Sequence, residues 1–208
     1  MAVIFSCHGD SRSFPDGAPD LGGDGVVLAG VSAALGLATI DPDAPFVALE
    51  LGGECLAEHV GLDPDPHRAH VVGFARFRLG AAPPTPLIEL VALPWTDPKA
   101  VDACMSAFTG AGFAVARSAD TPGRIVNRLI RPYFNAVLRR LDEGLASAED
   151  MDTTLRLGLG SPEGPNALLA RTGLAHHFDV TAELHQALGD PDFAPARRAR
   201  IAKARTRP

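Results

Sequence analysis

Few residues of this chain have the type and spacing that chemistry requires. Cys55 and His59 stand four positions apart in one predicted helix, so their side chains would share a face, as a thiol nucleophile and its base do. A nucleophile also needs hydrogen-bond donors for the oxyanion that develops during attack, and no neighbouring pattern supplies them. We therefore expect Cys55 and His59 to be structural.

The other cysteines and histidines lack the spacing of a metal site. Three cysteines form an odd, scattered set, which favours free thiols over a disulfide framework. The histidines have no carboxylates at ligand spacing beside them, so we predict no metal site. Four histidines are expected at the surface or at helix ends: His67, His70, His176 and His177.

A further candidate is Asn127, in the stretch DTPGRIVNR at residues 120–128. The Thr-Pro-Gly triplet breaks the preceding element, and apolar residues then recur every four positions from Ile125 to Leu141, which predicts one apolar helix face. Pro132 inside this run would kink the helix or require accommodation by a neighbour. Asn127 lies in the first turn, so we expect its amide to face a cleft beside the preceding domain and to bind a ligand carbonyl or hydroxyl.

Local signals predict that residues 120–208 form an all-α domain. Gly144 is placed for a left-handed cap, and Ser147 with Asp150 has the form of a capping box that starts a second helix. A cluster of glycines and prolines then ends that helix before a third begins.

Residues 1–119 predict an α/β domain, because short apolar runs alternate with helical stretches. We expect a mostly parallel sheet of about five strands. The first run, residues 2–5, has the composition of a buried parallel strand. Helices are predicted in this half over residues 54–60 and 98–110, and residues 32–40 are a short helix-like stretch.

The connection after the first strand lacks a dinucleotide-binding fingerprint. Such a fold runs its first strand into G-x-G-x-x-G at the start of a helix, with an acidic residue roughly 20 positions later for the ribose. The glycines of SCHGDSRSFPDGAPDLGGDG do not have that spacing, and Pro15 and Pro19 interrupt any helix. We therefore predict that the half that would bind the adenine end of NAD is missing, and that the chain holds no cofactor.

The second half of the chain resembles the 3-hydroxyacyl-CoA dehydrogenase family. Residues 122–128, PGRIVNR, are similar to its PGFxxNR signature, with Arg124 in place of the phenylalanine. Its A-x-D-x-D and G-x-G-x-P-x-GP motifs follow at residues 148–152 and 158–165. The resemblance implies a truncated Rossmann-like parallel sheet followed by an all-α domain like the family's C-terminal one, which packs against a nucleotide-binding domain and often mediates dimerisation.

The resemblance also implies a reaction. Two of the family's catalytic residues, a histidine and a glutamate, are missing from the matching positions of this sequence. The family oxidises a 3-hydroxyacyl-CoA by transferring hydride to NAD, while a histidine held by a glutamate takes the hydroxyl proton. The family's histidine opens a run just after G-M, and here Gly73 and Phe74 are followed by Ala75. Its glutamate follows L-V, and here residues 90–91 are followed by Ala92. Alanine can neither accept a proton nor orient a base, so we predict that the dyad is lost.

Three polar residues remain as candidates for the altered site. Arg76 and Glu89 are the polar residues nearest the lost dyad, either as a structural ion pair or as contacts to a polar substrate. Asn127 resembles the family's active-site amide. The family's S-N-T-S strand end, whose serine contacts substrate, is replaced by LELG at residues 49–52.

Four functional hypotheses follow. The sequence favours a divergent relative that binds or acts on a β-oxo or β-hydroxy acyl thioester without NAD. The alternatives are a functional NAD-dependent 3-hydroxyacyl-CoA dehydrogenase, a non-redox hydrolase, lyase or cyclase built around Asn127, and a structural partner of a full-length homologue. The sequence does not specify the substrate.

Composition restricts the classes of partner and the cellular location that we expect for this protein. The net charge of −6 and the aromatic content of 6% argue against nucleic acid, and no stretch approaches the roughly 20 apolar residues of a membrane span. The start has no basic segment before its apolar run, so we expect no signal peptide and a cytoplasmic protein. The basic tail at residues 197–207 is interpreted as a solvated, frayed helix end. Leucines after residue 120 and the resemblance predict a homodimer through the helical domain.

Overall fold

The computed structural model describes residues 3–206, and its contacts divide the chain into two units. The first unit runs to Arg78 and continues over Pro83–Arg124. The second comprises Leu79–Ala82 and the chain from Ile125 onward. The sequence predicted a boundary before residue 120, whereas residues 120–124 pack with the first unit, for reasons given below.

The first unit is built on one six-stranded sheet whose strands lie side by side in chain order. All neighbouring strands are parallel except β4 and β5, which are antiparallel. The fold class predicted from the sequence is therefore confirmed, with one strand more than expected. The strands are β1 Ile4–Cys7, β2 Val26–Ala29, β3 Val47–Glu50, β4 Val71–Arg76, β5 Leu87–Val91 and β6 Ala114–Ser118.

Two apolar cores cover the faces of this sheet, because side chains alternate along each strand. On one face, Phe74 and Leu90 pack with Phe108 of the helix α2, Pro98–Gly110. On the other face, Leu49 and Val91 pack beneath a 3-10 helix and the short helix α1, Ala57–Val60. The predicted helix over residues 54–60 is thus shorter than expected, while α2 has the predicted bounds.

The first strand is not buried as predicted. Strand β1 has β2 on one side and lies at the edge of the sheet, and Ile4 is 64% exposed. The connection from β1 to β2 is an irregular segment, and its Phe14 and Leu21 pack into the core beside α2. An apolar composition does not distinguish a central strand from an edge strand, because neighbours decide burial.

The second unit is helical. Its helices are α3 Val126–Asp142, α4 Ala148–Leu159, α5 Pro165–Thr172, α6 Leu174–Leu188 and α7 Arg197–Arg205. Within residues 3–206, none of the helices of this chain is both long and apolar enough to cross a membrane.

The buried face of α3 differs from the predicted one. Most of the buried residues follow the i, i+3, i+4, i+7 pattern of Arg131, Phe134, Asn135 and Leu138, and Val137 of the predicted stripe is buried beside them. Leu129 on the predicted face is 72% exposed. A strict spacing of four residues overshoots the 3.6-residue turn by about 40° each time, so that stripe winds around the helix instead of following one side.

The helix caps agree with the local sequence signals. Gly144 has a φ of 74°, and the amide of Leu145 donates to the carbonyl of Arg140 across the end of α3. The Ser147 hydroxyl accepts a hydrogen bond from the amide of Asp150 at the start of α4. Both predictions are confirmed because each depends on residues within one turn of chain.

Two residues of the family's motifs have a shared structural role in this unit. The carboxylate of Asp152 in α4 accepts hydrogen bonds from the amides of Asn166 and Ala167 in the first turn of α5. A Cβ atom on Gly164 would overlap Asp152. The glycine therefore allows the close approach that lets Asp152 cap α5.

Residues 197–205 of the basic tail form a packed helix and not a frayed end, and Arg207 lies outside the described residues. Helix α7 packs on α6 and α3, and its Ala199 is fully buried. Arg198 forms an ion pair with Asp142 at 2.7 Å, and Lys203 forms one with Asp179 at 2.8 Å. The positive charges of the tail are thus partly matched by carboxylates on α3 and α6, which the local sequence does not reveal.

Candidate functional site

The first unit has a cavity of about 240 Å³ at the carboxyl ends of β1, β2 and β3. In α/β proteins with parallel strands, this edge of the sheet is the usual place for a ligand. The side chains and backbone that line it come from the segments that follow the three strands and from the two short helices. The polar lining residues are Asp10, Arg12, Glu50, Glu54 and His59.

Glu50, the last residue of β3, is the acceptor for three hydrogen-bond donors at this edge of the sheet. Its carboxylate accepts hydrogen bonds from the Ser11 hydroxyl at 2.8 Å, the Ser13 amide at 2.7 Å and the Gly30 amide at 2.6 Å. The residue is only 8% exposed. In a dinucleotide-binding fold, amides of the loop after the first strand and of the helix N-terminus that follows bind the pyrophosphate. Here the amides of Ser13, in the segment after β1, and of Gly30, after β2, donate to a carboxylate of the protein.

His59 and Glu54 lie together at the wall of the cavity. The Nε2 atom of His59 is 3.5 Å from Oε1 of Glu54, and the side chains are 24% and 33% exposed. The Gly52 amide donates to the same Oε1 atom at 2.9 Å. The sequence had paired His59 with Cys55 on one helix face, but α1 begins at Ala57, after the cysteine.

Cys55 is not an activated nucleophile. Burial raises the pKa of its thiol above the ordinary value, and the nearby carboxylates Asp120 and Glu58 raise it further. The thiol therefore stays protonated at neutral pH. The expectation that Cys55 is structural agrees with this environment.

Asp120 and Arg124 hold the segment that carries the histidine and the glutamate. The carboxylate of Asp120 accepts hydrogen bonds from the amides of Leu56 at 2.7 Å and Ala57 at 2.9 Å. The guanidinium of Arg124 donates to the backbone carbonyls of Gly52 and Glu54. These bonds explain why residues 120–124 belong to the first unit.

Arg124 itself has an unusual environment. It is 4% exposed, and its φ of 51° is the single positive value of a non-glycine residue within residues 3–206. Its Nε atom has no hydrogen-bond partner in the part of the chain that the structure describes. Burial lowers the pKa of Arg124, while the neighbouring carboxylates, Glu89 first, raise it. A guanidinium thus lies near Glu89 where the family signature has a phenylalanine.

The strand register changes the interpretation of the dyad. Ala75 on β4 lies directly opposite Glu89 on β5, and both are buried. Directly opposite residues of an antiparallel pair project from the same face of the sheet. Ala92 lies after the end of β5 and has no partner in this register. The carboxylate that the register places opposite position 75 is that of the candidate residue Glu89.

Arg76 and Glu89 do not form the ion pair considered from the sequence. Arg76 lies opposite Ile88 and shares its face of the sheet. Glu89 is the next residue along β5, so its side chain projects from the other face. The guanidinium of Arg76 donates to the carbonyls of Ser13, Pro84 and Thr85, and its carbon lies 5.0 Å from the centre of the Phe113 ring. Arg76 therefore holds loops in place.

Asn127 is half-buried and lies at the end of a chain of buried polar groups in the second unit. Its Oδ1 atom accepts a hydrogen bond from Nε of Arg131 at 2.9 Å. Arg131 contacts Nδ1 of His177 at 3.1 Å, and Nε2 of His177 lies 3.0 Å from Oδ1 of Asn135. Arg131 is 1% exposed, and the other two partners are fully buried.

His177 lies in the first turn of α6, near a helix end as predicted, but the prediction that it is a surface residue was wrong because it is fully buried. Burial lowers its pKa to about 3, and Arg131 and His176 lower it too. The spacing of Asn127, Arg131 and Asn135, each four residues apart, was a signal that these polar residues lie close together on α3. Among residues 3–206 no group of His, Cys, Asp and Glu is arranged to hold a metal ion.

Comparison with known proteins agrees with this architecture. Residues 123–205 match the family model described as the 3-hydroxyacyl-CoA dehydrogenase C-terminal domain. The human mitochondrial hydroxyacyl-coenzyme A dehydrogenase is 37% identical over 109 residues, which are 48% of this chain and 35% of that protein. A Mycobacterium tuberculosis 3-hydroxybutyryl-CoA dehydrogenase is 30% identical over 173 residues, which are 83% of this chain and 59% of that protein.

A solved structure extends the similarity across both units. The crystal structure of M. tuberculosis FadB2 superimposes with a TM-score of 0.71 at 27% identity, covering 86% of this chain and 65% of that one. The chain spans between 35% and 59% of the length of the two relatives described above. From the matched helical domain, the relatives and the shared fold, we conclude that this chain belongs to the 3-hydroxyacyl-CoA dehydrogenase family.

Proposed function

We propose that this protein binds a β-oxo or β-hydroxy acyl thioester and does not use NAD. The observation that carries the proposal is the pairing of Ala75 with Glu89. A hydride transfer from a hydroxyl carbon needs a base for the hydroxyl proton, and position 75, opposite the buried carboxylate, has a methyl group. The register thus suggests that the carboxylate of the dyad is kept as Glu89 and that the histidine is lost.

The cavity at the ends of β1, β2 and β3 supports the absence of NAD. Three of its polar residues, Asp10, Glu50 and Glu54, are acidic, and negative charge disfavours a pyrophosphate. The amides of Ser13 and Gly30 are already bound to Glu50. Together with the missing glycine fingerprint, this argues against a phosphate site at the first strands.

The substrate class comes from the relatives, whose names are those of 3-hydroxyacyl-CoA and 3-hydroxybutyryl-CoA dehydrogenases. We propose that Asn127 contacts the ligand, as expected from the sequence. Its Oδ1 atom is engaged by Arg131, which orients the amide and leaves Nδ2 as the donor for a carbonyl.

A functional NAD-dependent dehydrogenase is the second candidate. The identity of 30% over 173 residues to a 3-hydroxybutyryl-CoA dehydrogenase favours it.

We also propose that the protein is a homodimer through the helical unit, because Leu129, Leu157 and Leu159 of that unit are each about 70% exposed or more. A cytoplasmic location stays a prediction from the sequence.

Calorimetric titration of the purified protein with acetoacetyl-CoA and with NADH tests the proposal. We expect saturable binding of acetoacetyl-CoA and no binding of NADH at micromolar concentrations. Titration with free coenzyme A is the control, because it separates recognition of the acyl group from recognition of the nucleotide. Saturable micromolar binding of NADH would instead favour the NAD-dependent candidate.

A further inference from the structure

We propose that His59, oriented by Glu54, is the general base of an acid–base site in the cavity at the ends of β1, β2 and β3, acting at C2 of a short β-hydroxyacyl thioester. The substrate class rests on the function proposed above, whereas the base and its location come from the cavity itself. Neither residue belongs to the dyad positions at 75 and 89.

The geometry suits proton transfer by the imidazole. With its Nε2 proton directed at Glu54, 3.5 Å away, the neutral ring of His59 keeps its lone pair on Nδ1. Within residues 3–206, Nδ1 of His59 makes no hydrogen bond, so it is available to a substrate. The pair is 24% and 33% exposed, which leaves it accessible from the cavity while removing most of its contact with water.

The pair is also held in place, as a catalytic group must be. Gly52 donates to the carboxylate of Glu54, and a Cβ at Gly52 would lie 2.7 Å from Oε2 of that carboxylate, so a larger residue at position 52 would displace the Glu54 side chain. Arg124 binds the backbone carbonyl of Glu54, and Asp120 binds the first turn of α1, which carries His59. Two residues of the DTPGR segment thus position both members of the pair.

The other groups around the cavity do not offer an equivalent base. The carboxylate of Glu50 is engaged by three donors, and the raised pKa of Cys55 keeps that thiol protonated. Asp10 and Arg12 are the remaining charged residues of the lining and lie at its exposed rim. The volume of about 240 Å³ is below the roughly 300 to 1,000 Å³ of pockets for drug-sized ligands, which favours a short acyl chain.

The reaction that this base can perform without an oxidant is elimination of water. The C2–H bond of the β-hydroxyacyl thioester breaks and the proton passes to His59, while the electron pair forms the C2–C3 double bond. The C3–O bond breaks, and the leaving hydroxide takes the proton from the imidazolium and departs as water. The products are a 2-enoyl thioester and water, so atoms and electrons balance and no hydride acceptor is required.

Incubation with 3-hydroxybutyryl-CoA in deuterated water tests this proposal. Mass spectrometry would measure deuterium at C2 and formation of the enoyl thioester. We expect both with the parent protein, and a rate at least a hundredfold lower in His59→Gln, in line with the contribution of a general base. His59→Ala should recover part of the rate when free imidazole is added, which a purely structural residue would not do.

Glu54 acts through His59, so its variant needs a different readout. Glu54→Gln should lower kcat about tenfold and leave KM for 3-hydroxybutyryl-CoA unchanged, because Glu54 orients the imidazole and makes no contact with the substrate. The other charged groups of the cavity, Asp10, Arg12 and Glu50, are unchanged in this variant. Glu58→Gln, next to the histidine in sequence, is the matched control and should leave the rate unaltered.

A parallel calorimetric titration separates the two proposals. If 3-hydroxybutyryl-CoA binds but neither exchange nor enoyl product appears, the acid–base site is overturned and the binding function stands. Equal rates for His59→Gln and the parent would also overturn it. If no acyl thioester binds, the proposed function fails, and the acid–base site fails with it.

Discussion

Ala75 and Glu89 face each other across the antiparallel strands β4 and β5, with a methyl group opposite a carboxylate that is 2% exposed. A buried carboxylate is costly unless a positive charge or hydrogen bonds compensate it. Arg124 is a cation that is only 4% exposed. Among the carboxylates near Arg124, Glu89 raises its pKa the most. The two charges are therefore expected to depend on one another for stability.

A double-mutant cycle tests that dependence. Glu89→Gln and Arg124→Gln should each lower the free energy of unfolding by about 3 kcal/mol, since each removes an opposite charge from beside a buried one. The double variant should lose less than the sum, with a coupling of about 1 to 3 kcal/mol. Denaturant unfolding of the four proteins gives these values. Losses that simply add would show that the two charges are independent.

Glu50 should be a major contributor to the stability of the first unit. In Glu50→Gln, one carboxylate oxygen becomes an NH2 group that faces a donor, so we expect a loss of about 1.5 to 3 kcal/mol. Glu143→Gln is the control, because Glu143 pairs with Arg140 while both are more than half exposed. That substitution should change the free energy by less than about 0.5 kcal/mol. Similar effects of the two variants would contradict the role given to Glu50.

The buried imidazole of His177 predicts a pH-dependent stability. In the folded protein its pKa is lowered to about 3 from the ordinary 6.5. Between these values the unfolded chain binds a proton that the folded one does not. The contribution of neutral His177 to the free energy of unfolding is thus complete above about pH 6.5. It declines by about 1.4 kcal/mol per pH unit as the pH falls toward 3.

Urea unfolding at pH 4, 5, 6 and 7 measures this slope. His177→Gln should be less stable than the parent at pH 7 and should lose most of the slope between pH 4 and 6. The exposed His67 supplies the control, and His67→Gln should keep the parent slope. An unchanged slope in His177→Gln would mean that other groups cause the pH dependence.

Asn127 should affect both ligand binding and stability. Asn127→Ala removes the acceptor for Nε of the buried Arg131, so we expect a loss of about 1 to 3 kcal/mol in the free energy of unfolding. If the amide also contacts the thioester, binding should weaken tenfold or more, which is about 1.4 kcal/mol. Calorimetry on the folded variant at low temperature separates the two effects. Unchanged thioester affinity with a lower melting temperature would leave Asn127 a structural role alone.

The proposed homodimer predicts an effect of exposed leucines on α4. The double variant Leu157→Glu with Leu159→Glu should convert the dimer into a monomer, because burying a carboxylate in an apolar interface is unfavourable. Leu62, 80% exposed in the first unit, provides the control, and Leu62→Glu should leave the dimer intact. Light scattering at tens of micromolar gives the masses. A monomeric parent protein would exclude the dimer under these conditions.

Local features were predictable from the sequence because their causes lie within a few residues. Helix α2 begins after Asp97, which caps it, with Pro98 in its first turn, and its bounds were predicted to the residue. The cap at Gly144 and the capping box at Ser147 depend likewise on contacts three to five residues apart. The family motifs also identified the helical unit, since their glycines and aspartates specify caps.

Contacts between distant residues required the tertiary structure. Glu50 meets amides 20 and 37 positions away, and Arg131 meets His177 across 46 positions. The sequence indicated neither contact, because hydrophobic periodicity carries no information on which polar groups pack together. A histidine with no local partner therefore looked like a surface residue.

For the candidate site, the sequence alone determined that position 75 has no imidazole and that no glycine fingerprint follows the first strand. Only the tertiary structure decided which carboxylate lies opposite position 75. The reason is that strand register depends on hydrogen bonds between two strands, and the sequence does not show which residues of the two strands pair. It likewise decided that His59 lies beside Glu54 in a cavity, since α1 starts later than its residues suggest and is held there by Asp120, more than 60 positions away.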